Sequence, residues 1–279
     1  ADVATLRHCV AVAYASGVVR VWRGRDDLDR VDHEAHRGAP SCARWSRSAT
    51  LVASGGQNGD LVVWDAVAQR VVARFVTAAS STSSSSGSSS NACTDLAFVA
   101  STKNTDDERL VATLSRDGEL RAWDFRVRAC VATVRSLDAG GACRALDCDL
   151  LLGDGSVLGG PYGALASAGD DRFVRFWTVV DVSSDHQDGG VHPTASRLRL
   201  AAAGAVKRGR PETCIQLRFG AGTLASLAGA SVEIYRRRSR DEASRKAKRR
   251  LRRRREKDNN EQSRRAASRR RRRPGGADD

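Results

Sequence analysis

Five stretches of the chain repeat one arrangement: a short apolar run, a polar turn built from Gly, Asp or Asn, and an alternating run that closes on an aromatic residue. They are residues 10–22 (VAVAYASGVVRVW), 51–65 (LVASGGQNGDLVVWD), 110–124 (LVATLSRDGELRAWD), 164–177 (ALASAGDDRFVRFW) and 224–235 (LASLAGASVEIY). Alternation with period two predicts half-buried strands, and the turn residues between the runs predict antiparallel pairs. Trp22, Trp64, Trp123 and Trp177 are separated by 42, 59 and 54 residues, and Tyr235 follows 58 later in the place of a fifth Trp.

Further strand-like runs flank these pairs at residues 41–46, 70–76, 92–99, 129–134, 143–150 and 197–203. Four strands per unit is the blade of a β-propeller. No helical pattern interrupts residues 1–235. The shortest Trp spacing fits the roughly 40–45-residue period of WD repeats, and the longer ones contain polar insertions. Those insertions are residues 80–91 (SSTSSSSGSSSN), 102–108 (TKNTDDE) and 181–193 (DVSSDHQDGGVHP), all expected to be flexible loops. Together with the period, the Trp64-Asp65 and Trp123-Asp124 endings make the chain resemble WD-repeat propellers. The expected fold is all-β: a WD-repeat propeller fragment of about four to five blades over residues 1–235, then a basic helical or disordered segment over 236–279. The resemblance implies that His36, Ser54 and Trp64 belong to a buried hydrogen-bonded network. The usual turn Asp is Asn58 here, with Asp60 nearby, and Ala35 stands where Gly usually precedes the His. The network is structural, because buried polar groups must be satisfied. Trp22, Trp123 and Trp177 are expected as core or near-core blade residues.

Charge changes the picture more than composition does. Apolar residues make up 41% of the chain and charged residues 29%, which excludes a wholly disordered or membrane-embedded protein. No run of about 18 apolar residues exists to span a membrane. The net charge is +14, yet residues 1–235 hold 26 Lys/Arg against 26 Asp/Glu, while residues 236–279 hold 21 against 7. The whole excess lies in the last 44 residues, and such a segment points to a polyanionic partner. The seven cysteines are odd in number and never spaced C-x-x-C, which argues for buried thiols in a reducing compartment rather than a disulfide framework or a zinc knuckle. The chain contains no Met and starts at Ala1, so it reads as a piece of a longer protein.

Within the basic segment, Ser239 and Glu242 form a capping box, and residues 243–257 contain good helix formers without Gly or Pro. Arg245, Lys246, Lys248, Arg249, Arg250, Arg252, Arg253, Arg254 and Arg255 would cover nearly every side of that helix and leave no apolar stripe. Arg269, Arg270, Arg271, Arg272 and Arg273 extend the run. RNA phosphates suit forked guanidiniums. No aromatic residue lies in 236–279, so little base reading is expected. A nuclear or nucleolar import signal and a plain solvated tail are the alternative readings.

The junction VEIYRRRSRDEASRKAKRRLRRRREK at residues 232–257, where a blade strand runs into a basic stretch, resembles the WD-repeat family of U-three-associated protein twelve (Dip-two). The order of the preceding units, AVAYASGVVRVW and then HRGAPSC with LVASGGQNGDLVVWD, is similar too. The resemblance covers about residues 8–257, as a fragment of that family's first propeller plus its basic insertion. It implies a non-catalytic scaffold of the UTP-B subcomplex in the small-subunit processome. The implied partners are other UTP-B subunits, pre-ribosomal RNA and small nucleolar RNA, and the implied location is the nucleolus. The serine tract and the dominance of Arg over Lys depart from the family's pattern. The competing reading is a nuclear adaptor, a ubiquitin-ligase substrate receptor or chromatin reader, whose basic run serves import only.

No catalytic constellation emerges. His33-Glu34-Ala35-His36 is one residue short of H-E-x-x-H, and Gly153 to Gly159 misses G-x-G-x-x-G by one. No G-x-S-x-G occurs. Arg116-Asp117 and Asp170-Asp171-Arg172 fall in turns, where Asp bonds its own backbone. No cofactor, metal, membrane or small-molecule substrate is expected.

Overall fold

A computed structural model describes residues 2–4, 9–24, 29–76, 92–99, 108–135, 143–149, 162–181, 198–220, 222–236, 242, 244–246, 248–256 and 260. The chain divides into two compact units, Ala1–Tyr235 and Arg236–Asp279. In the first unit the described residues form five antiparallel sheets, four of them four-stranded and the last three-stranded. Blade 1 consists of β1 (Asp2–Ala4), β2 (Cys9–Ala13), β3 (Val18–Arg23) and β4 (Asp29–Glu34). Blade 2 holds β5 (Pro40–Trp45), β6 (Leu51–Gly56), β7 (Leu61–Asp65) and β8 (Arg70–Phe75). Blade 3 holds β9 (Cys93–Val99), β10 (Leu110–Ser115), β11 (Glu119–Asp124) and β12 (Ala129–Arg135). Blade 4 holds β13 (Cys143–Asp149), β14 (Ala164–Gly169), β15 (Phe173–Asp181) and β16 (Leu198–Lys207). Blade 5 holds β17 (Cys214–Gly220), β18 (Thr223–Ala228) and β19 (Ser231–Arg236). Strand order within each blade follows chain order, so consecutive strands are neighbours in the sheet.

The repeat extends to register. Trp22 stands opposite Val10, Trp64 opposite Val52, Trp123 opposite Val111 and Trp177 opposite Leu165, always on the third strand against the second residue of the second strand. Tyr235 occupies β19, the third strand of blade 5. Irregularities repeat as well. The pairing of third and fourth strands slips next to Trp64, Trp123 and Trp177. A second slip near the start of the first strand leaves Ser41, Thr94, Arg144 and Ile215 without a register partner in blades 2 to 5. Such bulges twist a strand and re-aim one side chain. The turns after Trp-Asp are matched too. Asp65 Oδ1 accepts the N–H groups of Val67 and Ala68 at 2.8 and 2.9 Å, and Asp124 Oδ1 accepts those of Arg126 and Val127 at 2.9 and 3.3 Å. Four residues beyond each Asp, Gln69 and Arg128 take left-handed φ values of 51° and 53°.

The blades pack face to face in chain order. The first strands form a row in which β5 packs on β1 and β2, β9 on β5, β13 on β9 and β17 on β13. Among the described residues no comparable packing joins β17 to β1. Each joint buries the apolar face of one blade against the Trp-bearing face of the next. Val19 and Val21 meet Val52 and Trp64, then Leu61 and Val63 meet Val111 and Trp123. Leu120 and Ala122 meet Leu165 and Trp177, and Val174 and Phe176 meet Leu217 and Tyr235. A fully buried side chain of this size stabilises the fold by roughly 1.5–3 kcal/mol, so the joints hold the unit together.

Three expectations need adjustment. Glu108, assigned to a flexible loop, is 6% exposed. Its carboxylate accepts the N–H of Arg47 at 2.6 Å, the N–H of Ser48 at 3.3 Å and the Ser48 hydroxyl at 2.7 Å, which ties blade 3 to the turn between β5 and β6. Asp181 ends β15, paired with Leu198, instead of opening a loop. Cys130 is exposed, whereas the thiols were expected to be buried; no disulfide joins any of the seven cysteines. Residues 80–91, 102–107 and 182–193 lie outside the described residues. In the second unit, backbone at 244–246 and 248–256 is helical.

Candidate functional site

The network expected in blade 2 forms around His36. Its Nδ1 lies 2.8 Å from Asp60 Oδ1 and its Nε2 2.8 Å from Ser54 Oγ, all three residues being buried. The carboxylate can only accept, so Nδ1–H donates to Asp60. The turn acid is therefore Asp60 and not Asn58. Asn58 sits two residues earlier, and its Oδ1 accepts the N–H of Asp60 at 3.3 Å. Gly59 at φ 84° closes this turn, as Gly118 at φ 81° closes the equivalent one in blade 3. Gly56 makes room for the network, because a Cβ there would lie 1.9 Å from Asp60 Oδ1 and 2.9 Å from His36 Nδ1.

Trp64 does not join this network. It is 1% exposed and its ring centroid is 4.9 Å from that of His33, but among the described residues its indole nitrogen finds no hydrogen-bond partner. The indole-to-hydroxyl bond appears instead in the next two blades, where Trp123 Nε1 donates to Thr113 Oγ1 and Trp177 Nε1 to Ser167 Oγ, each at 2.8 Å. In blade 1 the matching position is Val12, opposite Arg20, which offers Trp22 no acceptor. Trp22 is only half-buried, with the guanidinium of Arg20 5.8 Å from its ring. These residues hold the strands and blades together. Among the described residues no group of three or more His, Cys, Asp or Glu is placed to hold a metal ion.

The first strands carry a second set of polar clasps that sequence reasoning missed. Arg44 on β5 donates to Asp95 on β9 at 2.7 and 3.0 Å. Asp95 in turn accepts the N–H of Leu146 on β13 at 2.9 Å, and Asp147 accepts the N–H of Phe219 on β17 at 2.6 Å. Burial pushes both carboxyls up, that of Asp147 to about 6, against the pull of Arg44 on Asp95 and of the Phe219 N–H and Arg218 on Asp147. The bulged hydroxyls bridge the same joints: Ser41 Oγ donates to the carbonyl of Cys93, and Thr94 Oγ1 lies 3.1 Å from the carbonyl of Cys143. A lone acid inside an otherwise apolar strand, as in CTDLAFV, was the available signal for these clasps.

The bulged positions converge on an open cleft of about 300 Å³, lined by Ser41, Gln57, Cys93, Thr94, Arg116, Arg144 and Ile215 among others. Two guanidiniums with hydroxyl, amide and aliphatic neighbours suit an acidic or polar chain segment rather than a metal or an apolar ligand. Arg144 is held by Asp170 at 2.8 Å.

In the basic segment Arg245, Lys248, Arg249, Arg250, Arg252, Arg253, Arg254 and Arg255 are exposed and Lys246 is half-buried. Arg252 Nε lies 2.9 Å from Glu256 one turn on, a neutralising contact along the helix. Arg269 to Arg273 and the Ser239 half of the capping box lie outside the described residues.

Residues 30–65, from β4 through Asp65, match the WD domain, G-beta repeat family. No curated protein matches the chain. The matched span contains His36, Ser54, Asp60, Trp64 and Asp65, so the blade with the His-centred network is a WD40 repeat. The chain thus carries a WD40 repeat within an all-β, propeller-like unit, an architecture that serves as a protein-interaction scaffold and is generally non-catalytic.

Proposed function

We propose that this chain is a non-catalytic WD-repeat scaffold of nucleolar ribosome biogenesis, whose basic segment contacts pre-ribosomal or small nucleolar RNA while its blades engage other UTP-B subunits of the small-subunit processome. The observation that carries the reading is the division of charge: neutral blades, then 21 Lys/Arg against 7 Asp/Glu after residue 235. The exposed guanidiniums of residues 249–255 support it. With no aromatic residue in the segment, binding rests on phosphates and discriminates little between sequences. If about six side chains neutralise phosphates, log affinity falls against log salt with a slope of roughly −4 on single strands. Replacing Arg252, Arg253, Arg254 and Arg255 by Ala flattens that slope and weakens all RNAs alike. Titrations of both chains at several salt concentrations test this, and a salt-insensitive affinity overturns it.

A second reading, the nuclear adaptor with an import signal, draws on the cleft beside Arg116 and Arg144. It wins if the quadruple variant keeps full RNA affinity but no longer enters the nucleus.

A further inference from the structure

Two thiols from neighbouring blades face each other inside the joint between blades 2 and 3. Cys42 on β5 and Cys93 on β9 bring their sulfurs to 3.7 Å. Cys42 is half-buried, and Cys93 is 5% exposed yet forms part of the cleft wall. A bulged hydroxyl braces the pair, because Ser41, next to Cys42, donates its hydroxyl to the Cys93 carbonyl. Blade 2 also makes room for it. A Cβ on Gly55, the register partner of Cys42, would lie 2.4 Å from Cys93 Sγ and 3.0 Å from Cys42 Sγ. The matching positions of the next three blades carry Leu114, Ala168 and Leu227, so glycine stands at this place in the blade that must leave space for two sulfurs.

The repeat supplies its own comparison. Cys143 and Cys214 hold the position of Cys93 in blades 4 and 5, each just before a bulge. On the blade before them, the place of Cys42 is taken by Asp95 and Ala145. A cysteine at this first-strand position is thus common to three blades, and the joint of blades 2 and 3 sets a second cysteine against it. We propose that Cys42 and Cys93 form an oxidisable dithiol, which a hydroperoxide converts into a disulfide tying blade 2 to blade 3. Cys42, the less buried of the two, reacts first: its sulfur takes one oxygen from hydrogen peroxide, the O–O bond breaks, and a sulfenic acid and water result. The Cys93 sulfur then attacks that of Cys42. The S–S bond forms, the S–O bond breaks, and the departing hydroxide leaves as water with the Cys93 proton. A thiol has one hydrogen, and that of Cys93 is directed at the Asp95 carbonyl 3.5 Å away, so a sulfur lone pair faces Cys42. The contact with Cys42 and burial push the Cys93 thiol well up, which keeps it protonated and leaves the first step to Cys42. A disulfide bond is about 2 Å long, so the sulfurs have less than that distance left to close. Two molecules of a small thiol reverse the change, restoring both cysteines and leaving one small disulfide. Because Cys93 lines the cleft beside Ser41 and Thr94, the cross-link fixes one wall of it.

The test uses the full chain, reduced, with the exposed Cys130 replaced by Ser to prevent links between copies. It is treated with a small excess of hydrogen peroxide and quenched with N-ethylmaleimide. Mass spectrometry of a non-reducing digest is expected to show the Cys42 and Cys93 peptides joined, lighter than their sum by two hydrogens, and separated again by dithiothreitol. The link is expected to form at least about tenfold faster in the folded chain than in urea, since only the fold holds the sulfurs together. Recovery of both cysteines as maleimide adducts, or as sulfinic acids without a link, overturns the proposal. So do links to Cys143 or Cys214 as frequent as the link between Cys42 and Cys93, and equal rates with and without urea. In Cys93→Ser, which removes the resolving thiol without adding bulk, Cys42 is expected to persist as a sulfenic acid that dimedone traps. Absence of that adduct, where the parent links, overturns the order of attack.

Discussion

Asp147 makes the joint between blades 4 and 5 sensitive to pH, in the sense opposite to that of a salt-bridged carboxylate. Its Oδ2 accepts the Phe219 N–H at 2.6 Å, and Arg218 stands 3.8 Å from Oδ1. Burial outweighs both contacts and raises the carboxyl from 3.8 to about 6. The folded chain therefore holds this proton more tightly than the unfolded chain does. Below pH 3.8 both states are protonated and the group is neutral to stability; stability then falls as pH rises, and the loss is complete above about 6. A gap of about two units corresponds to about 3 kcal/mol at most. Because the side chain is 19% exposed, residual hydration brings the expected effect to between about 1 and 3 kcal/mol. Asp95 is shifted the same way and adds to the trend. The perturbation that isolates Asp147 is Asp147→Asn, whose amide oxygen still accepts the Phe219 N–H but which cannot ionise. Urea unfolding at pH 7.5 and pH 4.5 is the assay. The variant is expected to exceed the parent in stability at pH 7.5 and to match it more closely at pH 4.5. A carbon-13 titration of the Asp147 carboxyl, expected near 6, gives the direct reading. A midpoint at or below 4, or a stability difference that does not change with pH, refutes the reasoning.

Two further outcomes probe the buried networks. Gly56→Ala places a Cβ 1.9 Å from Asp60 Oδ1 and displaces the acid from His36, at an expected cost of about 1–3 kcal/mol. Thermal unfolding of Gly56→Ala, His36→Ala and the double variant checks this, since losses that simply add would mean that Gly56 does not act through the network. Thr113→Val strips the acceptor from the Trp123 indole and leaves a buried N–H unpaired, worth about 1–3 kcal/mol in chemical unfolding; a chain as stable as the parent would remove Thr113 from the stabilising contacts.

The blades were legible because two local signals coincide in each unit. Period-two alternation marks the strands, and turn residues such as Asn58-Gly59 and Asp117-Gly118 mark the hairpins, so the Trp positions fall into register without knowledge of the neighbours. What stayed hidden depends on groups far apart in the chain. Nothing near Glu108 reveals that its acceptors will meet the backbone of Arg47 and Ser48, about sixty residues earlier, and a run of polar residues around it reads as solvent-facing. Asn58 and Asp60 are both plausible turn partners for His36 by composition. Only the path of β6 and β7 brings the second, not the first, to His36. The bulges at Ser41, Thr94, Arg144 and Ile215 likewise leave no mark in the alternation, yet they select the side chains that line the cleft.

The contrast between Ile234 and its counterparts shows where the limit of such reading lies. Val21, Val63, Ala122, Phe176 and Ile234 hold one position in the repeat, and by pattern alone each belongs to a core. Four of them are buried and one is 70% exposed, and nothing in the local sequence separates them. A strand's alternation states which face is apolar; whether that face is covered is a property of the next unit in the row. The same logic separates Trp22 from Trp64, Trp123 and Trp177 at the opposite end. In a repeat architecture the inner units therefore report on packing, because each has a neighbour on both faces.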